Sequence, residues 1–298
     1  MLDPENKLIN DRIRSRCDST SSISKEQEIA RIFPTGEHMV IVLDDRRDVW
    51  GGVDNIIQVV PFFFFDENET NRATPVFTRN FTKDTINNIY EYCGQSSYID
   101  HLLDILLKFH KIFFKCYEAI QNKLDVDSLG LEQYFDDTGA PNLKNIISYE
   151  RSKTLCDCKI IFSGIIPIKG DFTDNIEYLL ATFLGAQVVD RASSPDITHL
   201  ITNGTITEKA KRIINSGLSI SIVFVDWLYC CYYLGERADE SFFKFSIEAS
   251  NFDEDTSELE SQPDHKRKSI EGSEENNPQK IIPVTLEDFL DDETLKDF

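Results

Sequence analysis

The sequence has no run of eighteen apolar residues, so no segment reads as a membrane span. Its first residues, MLDPENKLINDR, lack the basic-then-apolar pattern of a secretory leader. Cysteine is scarce and scattered. Of the seven, only Cys156 with Cys158 and Cys230 with Cys231 lie close together, and neither grouping has the spacing of a four-ligand zinc site. An odd number of unclustered thiols fits a reducing compartment rather than a disulfide framework. Positive charge is short as well: 31 Lys and Arg face 52 Asp and Glu, a formal charge of −21. That balance argues against direct nucleic-acid binding, which depends on neutralising phosphates.

The 298 residues are 41% hydrophobic and 11% aromatic, which suits about two globular domains with real cores. The acid excess is uneven. Residues 248–298 hold 16 acids and 5 bases, a net of −11, so half of it sits in the last sixth of the chain. A stretch rich in Ser, Glu, Asp and Asn cannot bury enough surface to order itself, and 246–298 reads as a disordered acidic tail. Its last part, TLEDFLDDETLKDF at 285–298, differs: Leu286, Phe289 and Leu290 keep helical spacing among acids. Two readings stand, a helix that forms against an apolar, basic groove or an ordinary acidic end.

Three further zones precede the tail. Residues 1–66 form the first. Residues 67–150 read as a linker, polar at 67–97 and 125–148, around one long helix at about 98–124. There Leu102, Leu103, Leu106, Phe109, Phe113 and Tyr117 fall on one broad stripe. His110, within that helix, lacks the neighbours of a metal ligand. Residues 151–245 alternate strand and helix signals. CKIIFSG, the run after Gly185 (AQVV), THLIT and the ISIVF run read as strands; NIEYLLATFLG, TEKAKRIINSG and DWLYCCYYLG read as helices, the second closed by Gly217. Alternation of this kind implies a small α/β layer with a largely parallel sheet.

The stretch with most chemical promise is MVIVLDDRRDVW. Met39 to Leu43 are five apolar residues bounded by polar ones, as in a buried strand. Asp44 and Asp45 follow at its carboxyl end, where open α/β sheets collect ligands. Two carboxylates there make a hard oxygen site suited to Mg²⁺, although Asp after a strand is also a common turn former.

Two resemblances join these pieces. Residues 151–245 resemble a BRCT domain on Phe162-Ser163-Gly164, Gly185-Ala186, Thr207-Glu208-Lys209 and Trp227. In its phosphopeptide-binding members this implies a phosphate held by Ser163, Gly164 and Lys209. Residues 2–65 resemble the TFIIF-associating RNA polymerase II C-terminal-domain phosphatases of the HAD superfamily. The matching residues are Leu2-Asp3-Pro4, Arg12 to Arg16, Lys25, Ala30 to Pro34, the MVIVLDDRRDVW stretch and the run from Asn55 through Pro61 to Phe65. That family also has a helical segment before a BRCT domain reading FSGIIP, as Phe162 to Pro167 do here, and an acidic, aromatic tail segment.

The second resemblance implies a fold and a function. The fold is a partial HAD-like α/β domain, then a helical linker, a BRCT domain and an acidic tail. The function is phosphoryl transfer to an aspartate, with one Mg²⁺, during dephosphorylation of serine in the polymerase C-terminal domain in the nucleus. Asp44 and Asp45 match the metal-binding acids, and Lys25 the lysine that steadies the phosphoryl charge. Arg12 and Arg16 match residues that could guide the substrate. Leu286, Phe289 and Leu290 match a segment that binds the TFIIF large subunit. No membrane or direct nucleic-acid partner is implied. The family's DxDxT nucleophile segment occurs nowhere in this sequence. The chain is therefore expected to be inactive as it stands. It would be the later part of a longer phosphatase, a reading that the intact Asp44-Asp45 and DVW favour. The alternative is a non-catalytic adaptor that binds phosphopeptides through its BRCT domain.

Overall fold

The computed structural model describes residues 25–50, 53–62, 81–94, 97–166, 172–189, 196–205, 207–217 and 219–246. Arg12, Arg16, Leu286, Phe289 and Leu290 lie outside the described residues.

The first unit is small. Helix α1 (Lys25–Ile32) leads through a short turn to strand β1 (Val42–Asp44), which pairs in parallel with β2 (Ile56–Gln58) in the register Val42↔Ile56 to Asp44↔Gln58. The apolar run from Met39 therefore yields a shorter strand than expected. Met39 ends a 3₁₀ turn, and Leu43 is 46% exposed rather than buried, because among the described residues β1 has a neighbour on one side only. Buried Asn55 fixes the approach to β1 by donating from Nδ2 to the Val40 carbonyl at 2.7 Å.

The expected linker is largely folded. Helix α2 (Lys83–Cys93) falls in the stretch that reads as a polar connection. Its signals are a Thr82–Thr85 capping box and only two fully buried aliphatics, Ile86 and Ile89, too thin a stripe to stand out in sequence. Helix α3 (Ser97–Gln121) is the long helix expected at about 98–124. Its buried face runs through Phe109, Phe113, Cys116 and Ala119; Leu103 and Tyr117, placed on that stripe from their spacing, point to solvent. Helix α4 (Leu143–Ser152) starts inside the second polar stretch, capped by the Asn142 side chain, and packs against α3.

Helix α4 also buries charge. Glu150 accepts from Lys153, Tyr134 and Lys108 at 2.6, 2.6 and 2.9 Å. Burial pushes its carboxyl up, but these three donors outweigh it and hold the pKa at about 2. A carboxyl depressed in the folded state stabilises the fold above its unfolded pKa and loses that contribution as pH falls toward the folded value. Glu150→Gln is thus expected to cost on the order of 3 kcal/mol at neutral pH. It should also flatten the stability profile between about pH 4.5 and 2, as read by urea titrations across that range.

The second unit has the architecture that a BRCT resemblance implies. Strands β3 (Lys159–Ser163), β4 (Gln187–Val188), β5 (His199–Thr202) and β6 (Ser221–Phe224) form one all-parallel sheet in the order β4-β3-β5-β6. Helices α5 (Ile176–Phe183), α6 (Glu208–Asn215) and α7 (Asp226–Leu234) supply the crossovers and the end. Parallel strands covered on both faces need near-continuous apolar side chains, and Ile160, Ile161, Leu200, Ile201 and Val223 are all buried. Trp227, fully buried on α7, stacks on His199 with ring centroids 4.7 Å apart and donates from Nε1 to the Ala238 carbonyl.

The linker helices join the two units. Helix α2 lies on α7, and Asn88 donates to the Asp226 carboxylate at 2.6 Å. The chain leaving β2 is gripped at Val60, whose N–H donates to the Tyr98 hydroxyl at 2.9 Å while its carbonyl accepts from Tyr90. Among the described residues no helix is long and apolar enough to cross a membrane.

Candidate functional site

The end of β1 gathers the residues singled out in the first unit. Asp44 is the last residue of the strand and Asp45 opens the turn that follows. Helix α1 starts at Lys25, whose Nζ lies 2.9 Å from Asp44 Oδ2. The same oxygen accepts from the indole Nε1 of Trp50 at 2.7 Å, and Oδ1 accepts from the Arg46 N–H at 3.0 Å. Lys25 also sits over the Trp50 ring, 4.6 Å from its centroid. Arg46 is turned away by a forked ion pair to Asp48, which leaves its side chain outside the acid pair.

These contacts give adjacent acids opposite characters. Partial burial pushes Asp44 up, but the Arg46 N–H, Lys25 and Trp50 together bring its pKa below the usual carboxylate range. Asp45 moves the other way: burial and then the neighbouring Asp44 carboxyl raise it. The pair thus holds a fixed anion beside a carboxyl that gains from a nearby cation.

Trp50 stands in the sequence only as the end of the acidic stretch, with no role of its own. Its link to Asp44 spans six residues of loop, a spacing with no periodic signature. Gln58 is a second unforeseen member. Its Nε2 donates to the Asp45 carbonyl at 3.0 Å, and its Oε1 accepts from the Tyr232 hydroxyl of α7 at 3.3 Å. Tyr232 is in turn fixed through its carbonyl by the buried guanidinium of Arg151, which also lies 5.9 Å from the Tyr232 ring centroid. The turn carrying Asp45 therefore rests on the second unit.

Magnesium takes hard oxygen donors, keeps several waters and typically uses one or two carboxylates together with phosphate oxygens. Asp44 and Asp45 fit that minimum, since a cation would relieve the repulsion that raises Asp45. Among the described residues no group of three or more His, Cys, Asp or Glu converges on a common point, so the two acids are at most part of a site.

The residues singled out in the second unit are arranged differently. Ser163 is buried and its hydroxyl donates to the Thr205 carbonyl at 2.9 Å. The same oxygen accepts from the Thr207 N–H at 3.3 Å. Gly164 follows at φ +73, where an added Cβ would meet Asn203 Oδ1 at 2.7 Å. Lys209 lies half-buried in the first turn of α6. Ser163 thus tethers the loop before α6 rather than presenting an open donor.

No family model matches the chain. Curated proteins do. An RNA polymerase II C-terminal domain phosphatase of Caenorhabditis elegans is 28% identical over 250 residues, 84% of this chain and 35% of that protein. One of Saccharomyces cerevisiae is 25% identical, covering 92% of this chain and 47% of its own length. A solved structure of the fission yeast phosphatase Fcp1, a variant bound to beryllium fluoride, superposes with a TM-score of 0.55 at 26% identity over 82% of this chain and 71% of that one. A second Fcp1 structure gives a TM-score of 0.53 at 27% identity. Over most of its length the chain is similar to RNA polymerase II C-terminal-domain phosphatases. Its fold matches that of the Fcp1 structures, a HAD-like unit followed by a BRCT unit. It spans about a third to a half of the length of the nematode, budding yeast and fission yeast phosphatases.

Proposed function

We propose that the first unit supplies the lysine-and-acid portion of a Mg²⁺-dependent protein-serine/threonine phosphatase acting on the C-terminal domain of RNA polymerase II. The observation that carries this reading is the contact of Lys25 with Asp44 at a strand end, with Asp45 adjacent. Phosphoryl transfer asks a protein mainly for a nucleophile and for positive charge aimed at the transferring group. Lys25 would steady the phosphoryl oxygens, and Asp44 with Trp50 would hold Lys25 in place. Asp44 and Asp45 would hold magnesium, which when bound offsets phosphate charge. Beryllium fluoride bound to the fission yeast relative is in keeping with a phosphoryl site.

The sequence has no DxDxT segment, so an aspartate nucleophile would have to come from polypeptide that this sequence does not contain. The purified chain is expected to release no phosphate from p-nitrophenyl phosphate above a no-protein blank, with or without Mg²⁺. Robust Mg²⁺-dependent turnover would overturn the assignment of roles, since it would require a nucleophile among the residues given.

The phosphorylated polymerase C-terminal domain as substrate, the TFIIF large subunit as partner of 285–298, and a nuclear location belong to the same proposal. In the adaptor alternative Ser163, Gly164 and Lys209 would hold a phosphopeptide, which requires Ser163 to give up its bond to Thr205. The network from Arg151 through Tyr232 and Gln58 to Asp45 favours a bracing role for the BRCT unit instead.

A further inference from the structure

Helix α3 buries one face and leaves a second apolar face in solvent. Ile99, Leu103, Leu107, Phe114 and Tyr117 are 69%, 52%, 44%, 40% and 48% exposed. Their spacing of four, four, seven and three residues puts all five on one side of the helix. Together they form a line about 27 Å long at 1.5 Å per residue. Scattered exposed apolar residues are ordinary, but five large ones aligned along one helix side, with the His110 ring packed on Phe114 in the gap after Leu107, mark a binding surface.

Charge beside this line indicates the occupant. From residue 105 to 117 the helix carries Lys108, Lys111, Lys115 and His110 and no acid, with Asp100 and Asp104 before it and Glu118 just after, so the basic part of the line is its second half, in a chain whose formal charge is −21. Lys108 is paired with Glu150. Lys111 and Lys115 have no carboxylate partner among the described residues, and both are exposed. The segment 285–298 is complementary in both respects, with Leu286, Phe289 and Leu290 at helical spacing and six acids against one lysine. A helix of that length is about 20 Å long, so it fits along the stripe.

We propose that residues 285–298 dock as an amphipathic helix on this face of α3, with Leu286, Phe289 and Leu290 against Leu103, Leu107, Phe114 and Tyr117, and with their acids toward Lys111 and Lys115. The 38 residues between 246 and 285 reach up to about 125 Å, ample for any point on a protein of this size. Tethering gives an effective concentration of roughly millimolar, so an intrinsic affinity near 100 µM is enough to keep the surface covered. A tail held in this way is available to another protein only after release. The inference does not depend on the phosphatase reading.

Hydrogen exchange on the full chain tests it. The amides of 285–298 should exchange at least ~10-fold more slowly than in a free peptide of the same sequence. That protection should vanish in Leu107→Ser/Phe114→Ser, in the charge reversal Lys111→Glu/Lys115→Glu, and in Leu286→Ala/Phe289→Ala/Leu290→Ala. It should fall as salt rises, with light scattering reporting a monomer throughout. Exchange at the free-peptide rate in the unaltered chain overturns the proposal. So does protection that survives the charge reversal, which alters no apolar contact and keeps the test open if the serine variant misfolds. A dimer whose α3 protection is indifferent to the tail substitutions would assign the stripe to a second copy instead.

Discussion

Gly185→Ala is expected to abolish cooperative folding of the BRCT unit. Gly185 follows α5 with φ +90, a conformation that side chains rarely adopt, and a Cβ built there would lie 1.8 Å from the Ser152 carbonyl oxygen. Ser152 ends α4, and the Leu155 N–H that follows donates back to the Leu184 carbonyl at 2.8 Å. Neither backbone can give way without breaking the other. Strain at such a dihedral costs about 1–3 kcal/mol, and the overlap should bring the total to roughly 5 kcal/mol or more. That approaches the whole stability of an ordinary domain. Gly217→Ala is the control: φ is +72, yet nothing lies within 4 Å of the added carbon. It should cost only about 1 kcal/mol. Urea titrations of both variants, followed by circular dichroism, give the comparison. A Gly185→Ala midpoint close to that of the unaltered chain would mean that α4 and α5 do not meet as described.

The second large effect is chemical. In a polypeptide completed with a DxDxT-bearing segment, Asp44→Asn and Asp45→Asn should each lower kcat/KM on a phosphoserine heptad peptide by ~10²-fold or more. The two losses should differ in kind. Asp45→Asn removes the carboxyl best placed to gain from a cation, so excess Mg²⁺ should restore part of the rate. Asp44→Asn also weakens the hold on Lys25 and Trp50, so added metal should restore little. Lys25→Met should behave like Asp44→Asn. Rates within about threefold of the unaltered enzyme would remove these residues from the site.

Which features were legible in sequence follows from the range of the interactions behind them. β3 and the apolar middles of β5 and β6 stood out as short apolar runs between turn signals, and Gly217 stood out because helix ends favour glycine. Helices α2 and α4 did not. α2 buries only a narrow stripe, the buried stripe of α4 is completed by the charged Glu150 and Arg151, and their caps at Thr82 and Asn142 look like loop residues in a polar context. On α3 the spacing showed an apolar helix but not which face was covered. Leu103 and Tyr117 share the periodicity of buried neighbours and end in solvent. The buried charges were invisible for a related reason. Glu150 is tolerated because Lys108, Tyr134 and Lys153 converge on it, and Arg151 because α7 offers the Tyr232 carbonyl.

The sequence by itself determined that this chain carries two adjacent acids at the end of a short strand, a small parallel α/β layer after a long helix, and a strongly acidic final segment. Each of these is a local pattern, set by residues within a few positions of one another. Only the tertiary structure decided that Lys25 and Trp50 close on Asp44, that Gln58 and Tyr232 brace the turn of Asp45 from the other unit, and that one side of α3 stays apolar and open. These depend on contacts between residues 6 to 174 positions apart, whose energies come from burial and hydrogen-bond geometry that no single stretch of chain encodes.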